Sequence, residues 1–259
     1  MTDELLVDDE GAVRVLTLNR PQVLNAINAS LGAALHEALV AADADPGVRC
    51  ILLTATGDRA FSAGGDLKEM AATDGPTMGG GSRVITEALN YRPGKPVLAA
   101  ANGLAYGGGL ELLLACDVVV AAEHATFALP EVRRGILASG GGLVNLPRVV
   151  GPRRALQLIL TGTPIDAATA LEWGLVNQVA PSGTQFQMAM ALARTMASNA
   201  PVALKLSKQT VFAAMTASDH DAWRANTAAL AAVRRSPDAL EGPRAFAEGR
   251  EPVWTGLDE

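Results

Sequence analysis

Two glutamates, Glu111 and Glu131, each stand next to a segment suited to presenting backbone N–H groups. Glu111 comes two residues after Gly107-Gly108-Gly109. Consecutive glycines let a ligand approach the main chain closely, and at a helix N-terminus the N–H groups are unpaired and lie at the positive end of the dipole. Such a place can hold a phosphate or a developing oxyanion, and it equally suits a tight strand-to-helix turn with no ligand. Phe61-Ser62-Ala63-Gly64-Gly65-Asp66 is a second donor segment that runs from an irregular turn into a helix. One N–H from each segment can converge on a single carbonyl oxygen, as an oxyanion hole for a thioester requires. Taken singly, each glutamate also suits a first helical turn, where a carboxylate offsets the dipole, with Pro130 at N1 for Glu131. Taken together beside a donor site, they form a candidate acid/base pair.

Other chemistries are absent from the pattern. The glycines are followed by no Lys-Ser/Thr of a P-loop, and there is no G-x-G-x-x-G. Ser62 and Ser139 lack the first glycine of a G-x-S-x-G elbow, because Ala60 and Leu137 stand there. His36, His124 and His220 are scattered, and with Cys50 and Cys116 far apart no metal-ligand spacing arises.

Several elements must position these residues. Val13–Leu18 reads as a strand, with Asp8-Asp9-Glu10-Gly11 as the turn from Leu5–Val7. Ser30 is positioned to cap a helix through Leu31, Leu35, Leu39 and Val40, stopped by Pro46-Gly47. Ile51–Leu53, Val97–Ala101 and Val118–Ala121 read as strands, and Leu110–Cys116 as an apolar helix. Asp66-Leu67-Lys68-Glu69 has capping-box spacing and opens a short helix. Met70–Ser82 is glycine-rich and reads as a mobile loop. Beyond about residue 185 the strand signals stop. Gln185–Ser198, Val202–Ala214, Asp221–Arg235 and Leu240–Glu248 read as helices, with Pro201 and Pro237 at N-terminal positions. The division expected is an α/β core over 1–190 and a helical region over 191–259.

The chain has 259 residues, 49% hydrophobic and 19% charged, which suits one large globular domain and excludes a disordered chain. Lys+Arg is 21 against Asp+Glu 27, a net charge of −6, and the lysines are only Lys68, Lys95, Lys205 and Lys208. That balance, with no basic run, argues against a nucleic-acid partner. Cys50 and Cys116 sit in apolar runs, as buried thiols of a reducing compartment do. The start Met1-Thr2-Asp3-Glu4 lacks signal-peptide character, and Leu112–Ala122 is interrupted by Asp117 and too short to span a bilayer. A soluble, cytoplasmic protein with no membrane partner is expected.

From about Leu5 to the C-terminus the sequence resembles the crotonase (enoyl-CoA hydratase/isomerase) superfamily. The resemblance rests on Leu18-Asn19-Arg20-Pro21 with Leu24-Asn25-Ala26, and on Ala60-Phe61-Ser62-Ala63-Gly64-Gly65-Asp66-Leu67. It continues through Lys95-Pro96-Val97-Leu98-Ala99-Ala100-Ala101-Asn102-Gly103, Gly107-Gly108-Gly109-Leu110-Glu111 and Cys116-Asp117. Phe127-Ala128-Leu129-Pro130-Glu131, Leu160-Thr161-Gly162 and Gly174-Leu175-Val176 complete it. Each piece is weak, but the order of all of them is specific.

The resemblance implies an α/β spiral of repeated ββα units with a C-terminal helical region, assembled as a homotrimer or homohexamer. It implies an acyl-CoA substrate whose thioester oxygen is held by the N–H groups of Gly65 and Gly108. It implies an adenine pocket near Ala26 and Ala63 and a cationic CoA contact at Lys68, which also suits a solvated helix face. No cofactor is implied, since coenzyme A is part of the substrate, and no metal. Hydratases of the superfamily carry two glutamates, which match Glu111 and Glu131, so addition of water across the C2–C3 bond of a 2-enoyl-CoA is the implied reaction. A Δ3-Δ2 isomerase using Glu131 alone and a non-catalytic acyl-CoA-binding relative are the alternatives. The sequence departs from many hydratases at Gln22, at Tyr106 and at Ala138-Ser139, where Pro-Gly is frequent; these positions bear on CoA affinity and acyl preference.

Overall fold

The computed structural model describes residues 3–72 and 86–256. A hairpin opens the chain: β1 (Leu5–Glu10) pairs antiparallel with β2 (Val13–Leu18). The turn is at Gly11 and Ala12, not over Asp8–Gly11 as expected, and Gly11 takes a φ of +64°. Asp9 stays in the strand because its carboxylate accepts from Arg14 across the hairpin at 2.8 Å.

From the third strand to the eighth the chain alternates between two sheets. β3 (Cys50–Ala55), β5 (Val97–Ala101), β7 (Val118–Ala122) and β10 (Gln178–Ala180) extend the hairpin into a six-stranded sheet of order β1-β2-β3-β5-β7-β10. All pairs in it after the hairpin are parallel. β4 (Ala60–Ser62), β6 (Leu104–Tyr106), β8 (Thr126–Ala128) and β9 (Ile165–Asp166) form a smaller sheet in that order. The pairs β3–β4, β5–β6 and β7–β8 each lay one strand in each sheet and then enter a helix or helical turn, which are the ββα units expected of the spiral. Side chains alternate across the large sheet. Leu16, Leu18, Ile51 and Leu53 enter the main core with Leu31, Leu35 and Leu39 of the helix Ala29–Ala44. Val13, Val15, Cys50 and Leu52 meet Ala189, Met190 and Ala193 of the helix Gln185–Ala197 on the other face.

Local signals set most helix ends. Asp66 Oδ1 accepts from the N–H groups of Lys68 and Glu69, opening the helix Leu67–Ala72. Met70–Ala72 therefore belong to a helix, and 73–82 of the segment read as a loop lie outside the described residues. The first long helix is capped by Asn28, whose Oδ1 accepts from Leu31 N–H at 2.8 Å, rather than by Ser30. Asn28 already has the extended backbone that an N-cap needs, so the helix starts two residues before the serine could cap it. The C-terminal helices are Gln185–Ala197, Pro201–Ala214, Asp219–Val233 and Asp238–Glu248. Pro201 is the first residue of its helix, and Pro237 stands just before its own. Among the described residues no helix is long and apolar enough to cross a membrane.

Candidate active site

β4, β6 and β8 are adjacent and parallel, so the chain leaves all three at the same edge of the small sheet. The segments that follow them are Ala63–Asp66, Gly107–Gly108 and Leu129–Glu131. Crevices beyond the carboxyl ends of parallel strands are the usual ligand sites of open α/β sheets. The sequence segments chosen for their chemistry are brought together here by strand order.

The first donor loop is tied down by the segment Leu24–Ile27, between the hairpin and the first long helix. Ala63 N–H donates to Leu24 O at 2.9 Å and Ile27 N–H to Gly64 O at 2.8 Å. Ser62 Oγ donates to Asn25 O at 2.8 Å. Leu24 and Asn25 both adopt left-handed backbone, φ +55° and +53°, a conformation that is costly for leucine. The Asn25 side chain compensates: Oδ1 accepts from Arg20 N–H, and Nδ2 donates to Thr56 O and Ala60 O. Asp66 N–H donates to Ile27 O, so the bridge at Ile27 uses the N–H and C=O groups that flank Gly65 and turns the Gly65 N–H outward.

The second donor loop lies directly against the first. A Cβ built on Gly64 would sit 3.0 Å from Gly108 N, and one built on Gly108 would sit 3.6 Å from Gly65 N. Gly64, with φ +93°, supplies both the turn and the close approach. Gly108 is the first residue of the helix Gly108–Ala115. Among the described residues the N–H groups of Gly65 and Gly108 have no hydrogen-bond partner. Both expected donors are therefore unpaired and adjacent.

Glu111 lies in the first turn of that helix and is 4% exposed; Glu131, 8% exposed, opens the 3-10 turn Glu131–Arg134. Pro130 stands at the cap position, not at N1. Glu131 Oε1 is 3.0 Å from where a Cβ of Gly107 would be, and its Oε2 is buried with no partner among the described residues. Glu111 Oε1 accepts from Gly142 N–H at 2.9 Å. Glycine run Gly140–Gly142 permits this: a Cβ on Gly140 would fall 2.7 Å from Glu111 Oε2, and one on Gly142 3.1 Å from Oε1. Gly140 and Gly142 were not singled out in the sequence, although the run of three glycines was a signal that could have found them.

Burial pushes the Glu111 carboxyl up to about 7, the nearby Glu131 charge adds to the rise, and the Gly142 N–H opposes it. Burial also raises Glu131, against a smaller pull from Arg134. A folded-state value above the unfolded one means that the folded chain holds the proton more tightly. The fold is therefore least penalised below pH 4.5, where both states are protonated, and loses stability as pH rises toward 7. For a shift of this size that is roughly 3 kcal/mol. Glu111→Gln is expected to raise Tm above the original protein at pH 8, with the gain shrinking toward pH 4.5. Equal Tm differences at both pH values would contradict this origin of the shift.

The remaining expected contacts lie around the first donor loop. Ala26 is buried and Ala63 half-buried, on the two segments that hydrogen-bond each other there. Lys68 is exposed on the helix after Gly65. Arg20 braces this side: its Nη1 donates to Ala26 O at 2.6 Å and to Asp66 Oδ2 at 3.1 Å. Tyr106 turns its hydroxyl to Thr126 Oγ1 at 3.1 Å, within the small sheet.

Known proteins resemble the chain over its whole length. The enoyl-CoA hydratase/isomerase family model matches residues 8–257. A carnitinyl-CoA dehydratase of Salmonella arizonae is 38% identical over 263 residues, covering 99% of this chain and all of that protein. The enoyl-CoA hydratase structure from Bacillus anthracis superposes with a TM-score of 0.94 at 35% identity, covering 98% of this chain and 99% of that one. That of the enoyl-CoA hydratase from Mycobacterium tuberculosis does so with 0.92 at 38% identity, covering 99% and 100%. The chain belongs to the enoyl-CoA hydratase/isomerase family of the crotonase superfamily. Within that superfamily it is an acyl-CoA-binding enzyme of hydratase/dehydratase type.

Proposed function

We propose that the protein is an enoyl-CoA hydratase, converting a 2-enoyl-CoA and water to a 3-hydroxyacyl-CoA. The observation that supports this most is a pair of buried carboxylates on the loops that carry two adjacent glycine N–H groups: Glu131 Oε1 lies 3.0 Å from the Cβ position of Gly107, Glu111 is in the first turn of the helix that Gly108 opens, and the N–H groups of Gly65 and Gly108 have no partner among the described residues. The thioester oxygen accepts from Gly65 and Gly108, which draws charge from the conjugated system and leaves C3 electrophilic. Glu111 takes a proton from water as its oxygen bonds to C3. Glu131 delivers a proton to C2 as the carbon–carbon π bond is lost. One carboxylate must then be ionised and the other protonated; burial raises both, and the Glu131 charge raises Glu111 further, so ionising one favours keeping the proton on the other. The coenzyme A moiety lies toward Ala26, Ala63 and Lys68, and the reaction calls on no resident cofactor or metal.

The same site run backwards is a dehydratase, the reaction that the name of the Salmonella relative describes. The test is to follow loss of conjugated-thioester absorbance with crotonyl-CoA, and to offer 3-butenoyl-CoA and carnitinyl-CoA in parallel. Rapid hydration of crotonyl-CoA is expected. Turnover of the 3-enoyl substrate alone would replace this reading by the isomerase, and binding of acyl-CoA without any turnover would replace it by the non-catalytic relative.

Oligomerisation belongs to the same proposal. The helices after residue 200 leave Trp223 (71%), Leu240 (73%) and Phe246 (90%) exposed. Apolar side chains of this size so open to solvent point to a partner surface. A homotrimer or homohexamer in the cytoplasm is proposed, with 191–259 as the packing region. Light scattering at micromolar concentration is expected to give three or six times the chain mass; a monomer would overturn it.

A further inference from the structure

Behind the loop that supports Glu111 lies a cavity of about 790 Å³. Ser139 and Gly141 line it, while Gly140 between them faces the Glu111 carboxylate. Leu114 also lines it, three residues after Glu111 on the same helix, so the two side chains are neighbours along one helical face. The cavity thus begins about one helical turn from the candidate reacting centre, toward the helix C-terminus and away from Gly108.

Its walls combine two chemistries. Leu114, Val144, Phe212 and Met215 give apolar surface, and Arg92, Arg148 and Lys205 give positive charge. Lys208 also lines it but is neutralised by Asp117 at 2.7 Å. Asp43 is the acidic group in the lining, and it accepts from Tyr91 Oη and Lys95 N–H. Arg92 donates to Ala115 O at 2.8 Å and lies over the Phe212 ring at 5.2 Å, so its charge is held in place, and it has no ion-pair partner among the described residues. Arg148 and Lys205 have no ion-pair partner among the described residues. Arg92, Arg148 and Lys205 against Asp43 leave the described lining with an excess of positive charge, in a chain of net charge −6.

Resting on the acyl-CoA reading above, we propose that this cavity receives the far end of the acyl chain and selects chains that end in a carboxylate. The thioester sits at the helix N-terminus and the acyl chain runs past Glu111 along the helix toward Leu114. The apolar wall takes the methylenes, and the guanidinium of Arg148 and the ammonium of Lys205 pair with the terminal carboxylate. A chain that ends in a quaternary ammonium meets like charges there.

The test uses binding, so it does not depend on turnover. Calorimetry compares saturated acyl-CoAs of six, eight and ten carbons ending in methyl, carboxylate or trimethylammonium. At one or more lengths the carboxylate end is expected to bind about tenfold more tightly than the methyl end, with the ammonium end weakest. In the double variant R148Q/K205Q the carboxylate-to-methyl ratio is expected to fall about fivefold or more. Both side chains are exposed, so the fold is not at risk, and the ratio is internal to each protein. No preference for carboxylate at any length, or a preference unchanged in the double variant, would overturn the proposal. If the preference holds but crotonyl-CoA is not hydrated, the hydratase reading falls and the cavity assignment stands. If no acyl-CoA binds, both fall.

Discussion

Glu111→Gln and Glu131→Gln are each expected to slow hydration of crotonyl-CoA by about 10²–10⁴-fold, the usual range for a lost general acid or base. The amide keeps the size of the carboxylate. At Glu111 its oxygen can still accept from Gly142 N–H, so binding of a saturated acyl-CoA is expected to change little. At Glu131 the oxygen that has no partner among the described residues becomes an NH2 or a carbonyl of about the same size. The double variant is expected to lose less than the product of the single losses, because removing one partner already disables the pair. If the glutamates only offset helix dipoles, each change would cost about 0.3–1 kcal/mol of stability and leave turnover intact. The structure sharpens that contrast. At pH 8 the Glu111→Gln protein is expected to be more stable and much less active, which a dipole role cannot produce. A harmless Glu111→Gln beside a crippled Glu131→Gln would transfer the reading to the isomerase.

The glycines of the donor loop separate folding from chemistry. Gly108 is helical with no left-handed φ, and a Cβ there makes ordinary contacts of 3.6 Å with Gly64 Cα and Gly65 N. Gly108→Val is therefore expected to fold, and its branched carbons fill the space between the two N–H groups. Loss of about 10²–10³-fold in turnover is expected, as for removal of an oxyanion donor. Its neighbour behaves differently. A Cβ on Gly109 would lie 2.9 Å from Ser62 Cβ and collide with Ser62 O, so Gly109→Ala is expected to disrupt the packing of β4 against the helix and lower Tm. Circular dichroism and thermal melts beside the rate measurements distinguish the two. A folded Gly108→Val protein with full activity would remove Gly108 from the site.

Much of the local structure was legible because its causes are local. Strands β2 and β5 fall where runs of β-branched and small apolar residues were read. The capping pattern at Asp66 forms as expected at its N-terminal half. Glu69 does not close the box back on Asp66; its Oε2 accepts from Ala29 N–H, on a helix forty residues earlier in the chain. The misplaced first turn has the same kind of cause. Asp8 and Asp9 carry a turn composition, but pairing with Val15 and Arg14 holds them in the strand.

The sequence alone determined the chemical parts: two glutamates, two glycine-bearing approaches to helices, and an order of motifs that matches one superfamily. These are properties of short segments, where glycine, proline and capping residues act over three or four positions. Only the tertiary structure decided that the parts meet. Adjacent, parallel pairing of β4, β6 and β8 carries three separate loops to one edge, and no local pattern encodes that pairing. It also decided the state of the carboxylates. The proton affinity of Glu111 depends on burial, on Glu131 and on the glycine loop at Gly140–Gly142, groups that lie twenty and about thirty residues away along the chain. Desolvation is a property of everything packed around a group, so it exists only once the spiral has closed.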